Sequence, residues 1–361
     1  MTTRMTTQLE TWKVIVGVDT HKHVHVAVAI DTRGLRLGGH SFGADSGGYR
    51  ALIAWARTHG RIEAFGIEGT GSYGAGLARA VRRAGHRVAE VNRGDRRLRR
   101  AAGKSDPIDA EAAARSVLAD QSTAIPKTAD GAVEMLRQLK VARDTAVKAR
   151  TAAMITLKQI LVTAPPALRE TLQPLTDHAL VTRCAGLRPG PLDTPTASAK
   201  HTLRALARRW GALADEIATH DPHLARLTTD TSPTLCAGFG VGAGTAAEML
   251  ILFGDNPDRI RSEAAFAKLC GACPIPASSG RTTGRHRLYR GGHRQANAAL
   301  HRAVLVRMRF HQPTVNYVAR RSADGRTKRD IIRCLKRFLA REIYQRVMTD
   351  FRMRQHVTLA A

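Results

Sequence analysis

Lys13-Val-Ile-Val-Gly-Val-Asp19-Thr-His-Lys-His-Val24-His-Val-Ala-Val-Ala-Ile-Asp31 is two apolar runs joined by the polar turn Thr20-His21-Lys22-His23. Alternation within each run has the period of a strand. Residues 34–38 and 40–42 read as a third strand. Tyr49, Leu52, Ile53 and Trp55 carry helical spacing over 47–59. A fourth strand follows from Glu63 to Glu68, then a helix from Leu77 to Arg83 stopped by Gly85, then a fifth strand from His86 to Val91. Three consecutive strands followed by alternating helix and strand give a mixed sheet. Asp19 closes the first strand and Glu68 the fourth, the arrangement of an RNase H-like fold.

Ser105-Asp-Pro-Ile-Asp-Ala reads as the start of a helix over 105–120, with Ser105 as N-cap and Pro107 in the first turn. Asp106 and Asp109 are three apart and share a face. Alone, they would merely suit the positive end of the helix dipole. Joined by Asp19 and Glu68 they become four carboxylates at strand ends and a helix start. Lys and Arg number 57 against 30 acids, the formal net charge is +27 and the pI is about 11.2. A chain that must attract phosphates gains nothing from clustered negative charge unless that cluster holds a metal. The pattern points to metal-assisted phosphodiester chemistry on nucleic acid.

The positive charge makes nucleic acid the expected partner rather than an anionic membrane surface, because basic stretches are spread along the whole chain. No apolar run reaches the ~18 residues of a membrane span. The start, MTTRMTTQLETWK, lacks a signal-peptide core. Five widely spaced cysteines suit reduced thiols in a cytoplasm. Cys270 and Cys273 followed by His286 and His293 suggest a zinc finger, but the histidine spacing is too long and the intervening segment lacks a small apolar core.

Three parts are expected: an α/β unit over 1–125, a helical linker and oligomerisation region over 126–230, and a mostly helical unit over 231–361. In the middle part, helical patterns over 130–165 and 195–228 form either an antiparallel hairpin or a coiled coil with another subunit. In the last part, Gly238-Phe-Gly240-Val-Gly242-Ala-Gly244 fails as a dinucleotide fingerprint, because no strong strand precedes it and no suitable acid follows. A helix-hairpin-helix suits it better, as does a tight helix–helix turn without a ligand. Downstream, Ser278-Ser279-Gly280 opens a stretch in which eight arginines and no acid occur from Arg281 to Arg309. An exposed serine surrounded by guanidinium groups is what nucleophilic attack on phosphorus needs, although a plain loop serine reads the same way.

The segments VGVDTHKHVHVAVAID, GIEGTGSYG, VNRGDRRLRRAAGKSDPIDAEAAAR, LCAGFGVGAGTAAEML and FAKLCGACPIPASSGRTTGRHRLYRGGHRQANAALHRAV together resemble the DEDD transposases of bacterial insertion sequences. The resemblance runs over about residues 13 to 345. It implies a RuvC-like N-terminal domain, a coiled-coil middle and a C-terminal domain with a serine nucleophile. It assigns Asp19, Glu68, Asp106 and Asp109 as acids holding Mg²⁺ and Ser279 as the nucleophile. It also implies a non-coding bridge RNA as guide, donor and target DNA as substrates, a covalent phosphoserine, and strand exchange within a homo-oligomer, dimer to tetramer. The cell compartment it implies is the bacterial cytoplasm, beside the nucleoid. Arg281, Arg285, Arg287, Arg290 and Arg294 are the expected phosphate contacts. Three departures stand out: Ser278 adds a second hydroxyl, His293 follows Gly292 where the family often has Asn, and Cys270 and Cys273 replace small or apolar residues. Two rival functions fit the same composition. One is a RuvC-like junction nuclease that uses only the acids. The other is a non-catalytic basic nucleic-acid-binding protein.

Overall fold

The computed structural model describes residues 12–91, 105–280, 284 and 286–360. Two compact units divide between Thr128 and Ala129.

In the first unit, β1 (Lys13–Thr20), β2 (Val24–Asp31), β3 (Arg36–Gly43), β4 (Arg61–Glu68) and β5 (Val88–Val91) form one sheet in the order β3-β2-β1-β4-β5. The β1–β2 and β2–β3 pairs are antiparallel, and β4 joins β1 on one side and β5 on the other in parallel. Both faces of the central strands are buried, so alternating residues serve two cores. Val16, Val18, Ala27 and Ala29 face α1 (Ser46–Thr58) and α2 (Ala75–Arg83), where Leu52, Ile53, Leu77 and Val81 complete one layer. Ile15, Val26, Val28, Ile30 and Ala64 face α3 (Asp106–Leu118) through Ala110, Ala113, Ala114 and Val117.

The closeness of α3 to the sheet has a definite cause. Gly17 and Gly66 are register partners on β1 and β4. A Cβ on Gly17 would lie 1.9 Å from the Ala110 carbonyl oxygen and 2.4 Å from the Ala114 nitrogen. One on Gly66 would lie 2.9 Å from the Ala113 oxygen and 2.7 Å from a Val117 methyl. The paired glycines make a trough, and the alanine face of α3 lies in it.

Among the described residues the second unit is helical apart from one small hairpin. The long helices α4 (Ala132–Val162) and α7 (Pro195–Thr231) run antiparallel within one chain, the hairpin alternative of the two expected. Arg143 bonds Asp221 between them, and Arg150 sits over the Trp210 ring at 5.3 Å. At one end, Leu157 and Leu161 join Leu203, α5 (Pro166–Leu172) and α6 (Asp177–Ala185) in a separate core. Thr194 caps α7 by accepting from the Ala197 amide, and Pro195 fits its first turn.

At the other end, Val133, Leu136, Leu224 and Leu227 enter the main core with α8 (Pro233–Cys236), α9 (Ala243–Phe253), α10 (Glu263–Leu269), α11 (Arg294–Phe310), α12 (Gln312–Ala323) and α13 (Lys328–Ala360). Phe253 and Phe266 stack at its centre, 4.4 Å apart. This core therefore crosses the expected 230/231 boundary. The glycine-rich stretch forms the turn between the four-residue α8 and α9. Gly240 adopts φ +72°, and the adjacent Phe239 carbonyl accepts from Arg307 Nε at 2.8 Å. Arg307 also binds Glu342 through two nitrogens, at 2.6 and 3.0 Å.

Candidate active site

The acidic site is assembled at the C-terminal ends of β1 and β4. Asp19 has the same strand parity as Ile15 and Gly17, and Glu68 the same as Ala64 and Gly66, so both face α3. The register pairs Val18 with Ile67, which makes Asp19 and Glu68 the next residues on neighbouring strands. Thr20 Oγ1 donates to the Glu68 carbonyl at 3.0 Å and ties the two strand ends together. Gly69 then takes φ +61°, letting the chain turn away directly after Glu68.

The first turn of α3 supplies Asp106 and Asp109. Ser105 occupies the N-cap position, but its side chain makes no capping bond; its carbonyl accepts from the Ile108 and Asp109 amides at 3.0 Å each. Pro107 sits in the first turn as the sequence suggests. Asp109 is buried, whereas Asp106 is exposed.

His21 was hidden in what the sequence presents as a polar turn. Its Nε2 lies 3.2 Å from Asp19 Oδ2 and 3.4 Å from Asp106 Oδ1. The ligand-capable atoms of Asp19, His21 and Asp106 all fall within 4.8 Å of one another. Glu68 and Asp109 stand outside that tight group, although the charge of Asp109 still acts on Asp19. Burial raises the Asp19 pKa; His21 opposes this, while Asp106 and Asp109 add to it. Among the described residues neither Asp19 nor Asp106 pairs with a Lys or Arg, despite the large excess of both in the chain. Two carboxylates and an imidazole at this spacing fit a divalent cation, the carboxylates suiting hard ions and the nitrogen extending the range toward Mn²⁺. In the sequence His21 stands only as a histidine two residues beyond Asp19, in the turn that follows β1.

The other acid at a strand end has a different role. Asp31 accepts from the Arg33 and Leu35 amides and from Arg33 Nε, closing the β2–β3 turn.

The second unit presents the serines. Ser278 and Ser279 are both exposed in the loop between β6 (Pro274–Pro276) and β7 (His286–Leu288). Arg287 lies on β7, Arg290 in the following turn and Arg294 at the start of α11. All three are exposed, and none pairs with a carboxylate among the described residues. Arg281 and Arg285 lie outside the described residues.

The hairpin is anchored from behind. Gly292 passes so close to Gly271 that a Cβ would meet its nitrogen at 2.2 Å, and the His293 amide donates to the Leu269 carbonyl at 2.6 Å. Asn297 Nδ2 donates to the carbonyls of Cys270 and Gly271 at 2.8 and 3.1 Å, while its oxygen accepts from Lys336 at 2.8 Å. His293 caps α11, its Nδ1 accepting from the Ala296 amide at 3.3 Å. Cys270 is fully buried and its thiol is pushed up to about 12 by desolvation. Among the described residues, Cys270 and Cys273 form no metal-ligand group with the two histidines.

Carboxylates gathered at the ends of neighbouring strands, in a chain with a large excess of Lys and Arg, form the charge pattern of metal-assisted phosphoryl transfer on nucleic acid. Residues 16–166 match the family model of IS110 DEDD transposases, and residues 233–319 match the model described as transposase, IS116/IS110/IS902 family. The chain belongs to the IS110 family of DEDD transposases. Transposases of this kind generally use a divalent metal, for which the acidic cluster is the candidate site. No curated protein matches the chain. Among the described residues no helix is long and apolar enough to cross a membrane.

Proposed function

We propose that this transposase cleaves and exchanges donor and target DNA strands through a covalent phosphoserine on Ser279, with a bridge RNA as guide and Mg²⁺ or Mn²⁺ at the acidic cluster. The observation that carries the metal part is the grouping of Asp19, His21 and Asp106, with no Lys or Arg partner for the two carboxylates among the described residues. Glu68 and Asp109, facing the same side of the sheet, complete the acid set. The strand order, with acids ending β1 and β4, supports an RNase H-like, RuvC-like assignment for residues 1–125. Residues 126–230 act as the helical oligomerising part, giving a dimer to tetramer, and residues 231–361 carry the serine. The Gly238–Gly244 turn serves as a helix-hairpin-helix-like phosphate contact.

In this reading the Ser279 oxygen forms a bond to a DNA phosphorus and loses its proton, while one deoxyribose oxygen leaves and is protonated. Arg287, Arg290 and Arg294 hold the phosphates beside the loop and offset the charge that builds up at phosphorus. A bound divalent cation supplies Lewis-acid stabilisation of phosphoryl oxygens. Asp19 and Asp106 orient toward one point because Gly17 and Gly66 let α3 approach the sheet.

The test is to trap the full chain with donor DNA, guide RNA and Mg²⁺, denature it, and map the modified peptide by mass spectrometry. The expected adduct is on Ser279 and is absent from Ser279→Ala. An adduct on Ser278 would move the nucleophile by one residue. Cleavage by Ser279→Ala, with no adduct in the wild type, would replace this mechanism by the metal-only nuclease.

A further inference from the structure

A cleft of 620 Å³ lies in the second unit, between the β6–β7 hairpin and the start of α13. Its wall carries Arg287, Arg321, Arg326, Arg333 and Arg337, against one carboxylate, Asp330, among the described residues. That carboxylate is already engaged by Thr327 at 2.6 Å and Arg333 at 3.0 Å. Arg321 bonds Asp324 and Arg337 bonds Glu263, both outside the cleft. Arg287 and Arg326 are exposed and form no salt bridge among the described residues, although the charge of Arg326 acts on Asp330. Phe338 borders the same cleft with half its surface exposed, at 50 %, its ring held edge-on by Tyr317 at 5.6 Å. Ala272, Ile331 and Leu288 supply further apolar lining.

We propose that this cleft takes one unpaired nucleotide of a single-stranded nucleic acid, its base against Phe338 and its flanking phosphates on Arg287 and Arg326. The proposal deepens the nucleic-acid reading above and rests on it. The volume lies in the range of pockets that enclose a small ligand, about 300–1,000 Å³. A duplex, by contrast, is read by elements that project into its grooves, so a concave site of this size suits a base outside the stack. An exposed aromatic ring within a basic groove is the arrangement by which single strands are held without base-specific hydrogen bonds. The ring is kept in place by Tyr317, so it offers a fixed stacking surface. The phosphates meet two guanidinium groups that form no salt bridge with a carboxylate among the described residues, Asp330 acting on Arg326 only through its charge.

The test uses the full chain and three fluorescein-labelled probes: oligo-dT, oligo-rU and a duplex of equal length. Phe338→Ala is expected to weaken both single strands about tenfold and leave the duplex unchanged. Phe338→Tyr keeps wild-type affinity, and an unchanged melting curve for both variants separates stacking from folding. A 2-aminopurine placed in the single strand is quenched on binding to wild type and not to Phe338→Ala. Arg326→Ala lowers the salt slope for single strands by about one. Tighter binding of oligo-rU identifies RNA as the occupant and tighter binding of oligo-dT identifies DNA; either upholds the cleft. Equal loss for duplex and single strands, no loss, or displacement by poly-glutamate as effective as by oligonucleotide overturns the proposal. These readouts need no turnover, so failure to form the Ser279 adduct would refute the proposed chemistry and leave this result standing.

Discussion

Gly17 and Gly66 stand side by side on neighbouring parallel strands, and the backbone of the acid-bearing helix occupies the space their missing side chains leave. The position of Asp106 and Asp109 relative to Asp19 is thereby fixed by main-chain contact. Gly17→Ala places a methyl group 1.9 Å from a carbonyl oxygen, which no rotamer change relieves. The expected cost is about 3 kcal/mol or more of stability. The same change should abolish divalent-metal binding, read by calorimetry, before the unit unfolds. An Ala variant with normal metal affinity would show that the helix moves freely.

The metal site should respond to its nitrogen donor. In chelator, Asp19→Asn is expected to raise the melting temperature by a few degrees, because a buried carboxylate crowded by Asp106 and Asp109 is replaced by a neutral group. Excess Mn²⁺ should then stabilise wild type and not the variant, by about 2.7 kcal/mol at one hundred times Kd. His21→Ala should weaken Mn²⁺ more than Mg²⁺, since nitrogen ligands favour the former. Loss of the nitrogen hyperfine signal from bound Mn²⁺ in His21→Ala would be the spectroscopic check; its persistence would remove His21 from the site.

The exposed arginines should act as phosphate contacts. Replacing Arg287, Arg290 and Arg294 together by Ala is expected to reduce the slope of log affinity against log salt by about three, similarly for unrelated DNA sequences. An unchanged slope would make them ordinary solvated charges.

Acid stability should depend on Glu342. Hydrogen bonds from Arg307 hold its carboxyl below the usual 4.5, more than offsetting the effect of burial. The stabilisation is present above that value and is lost as pH falls through the lowered one. Glu342→Gln should therefore cost about 2 kcal/mol at pH 7, a figure discounted for partial exposure, and flatten the acid limb of the stability curve. Parallel acid limbs in wild type and variant would contradict the assignment.

The α/β unit was legible because strands buried on one or both faces leave a period in sequence: β1, β2 and β4 fall within two residues of their expected ends. Asp19 and Asp106, which the structure brings together, stand out in sequence because one sits at a strand end and the other at a helix start; Glu68 and Asp109 carry the same signal but lie outside the tight group. His21 does not stand out, since a histidine beside a turn is ordinary until Asp106, far along the chain, is brought to it by Gly17 and Gly66. The β6–β7 hairpin left little trace: strands of three residues carry no periodicity, and two prolines mark one of them as loop. Helices α5 and α6 were missed for a related reason. Their apolar residues answer to Leu157 and Leu203 on distant segments, so the pattern makes sense only after the long helices have paired.

Those long helices set a distance as well as a core. Leu136 lies in the main core and Leu157 in the outlying one, twenty-one positions apart on the same helix. At 1.5 Å per residue that is about 32 Å. One turn of B-form DNA is about 34 Å. The two cores therefore stand about one duplex turn apart, so contacts made at both along a duplex would fall on the same side of the double helix. An insertion of two residues into each helix would rotate those ends by about half a turn and uncouple them.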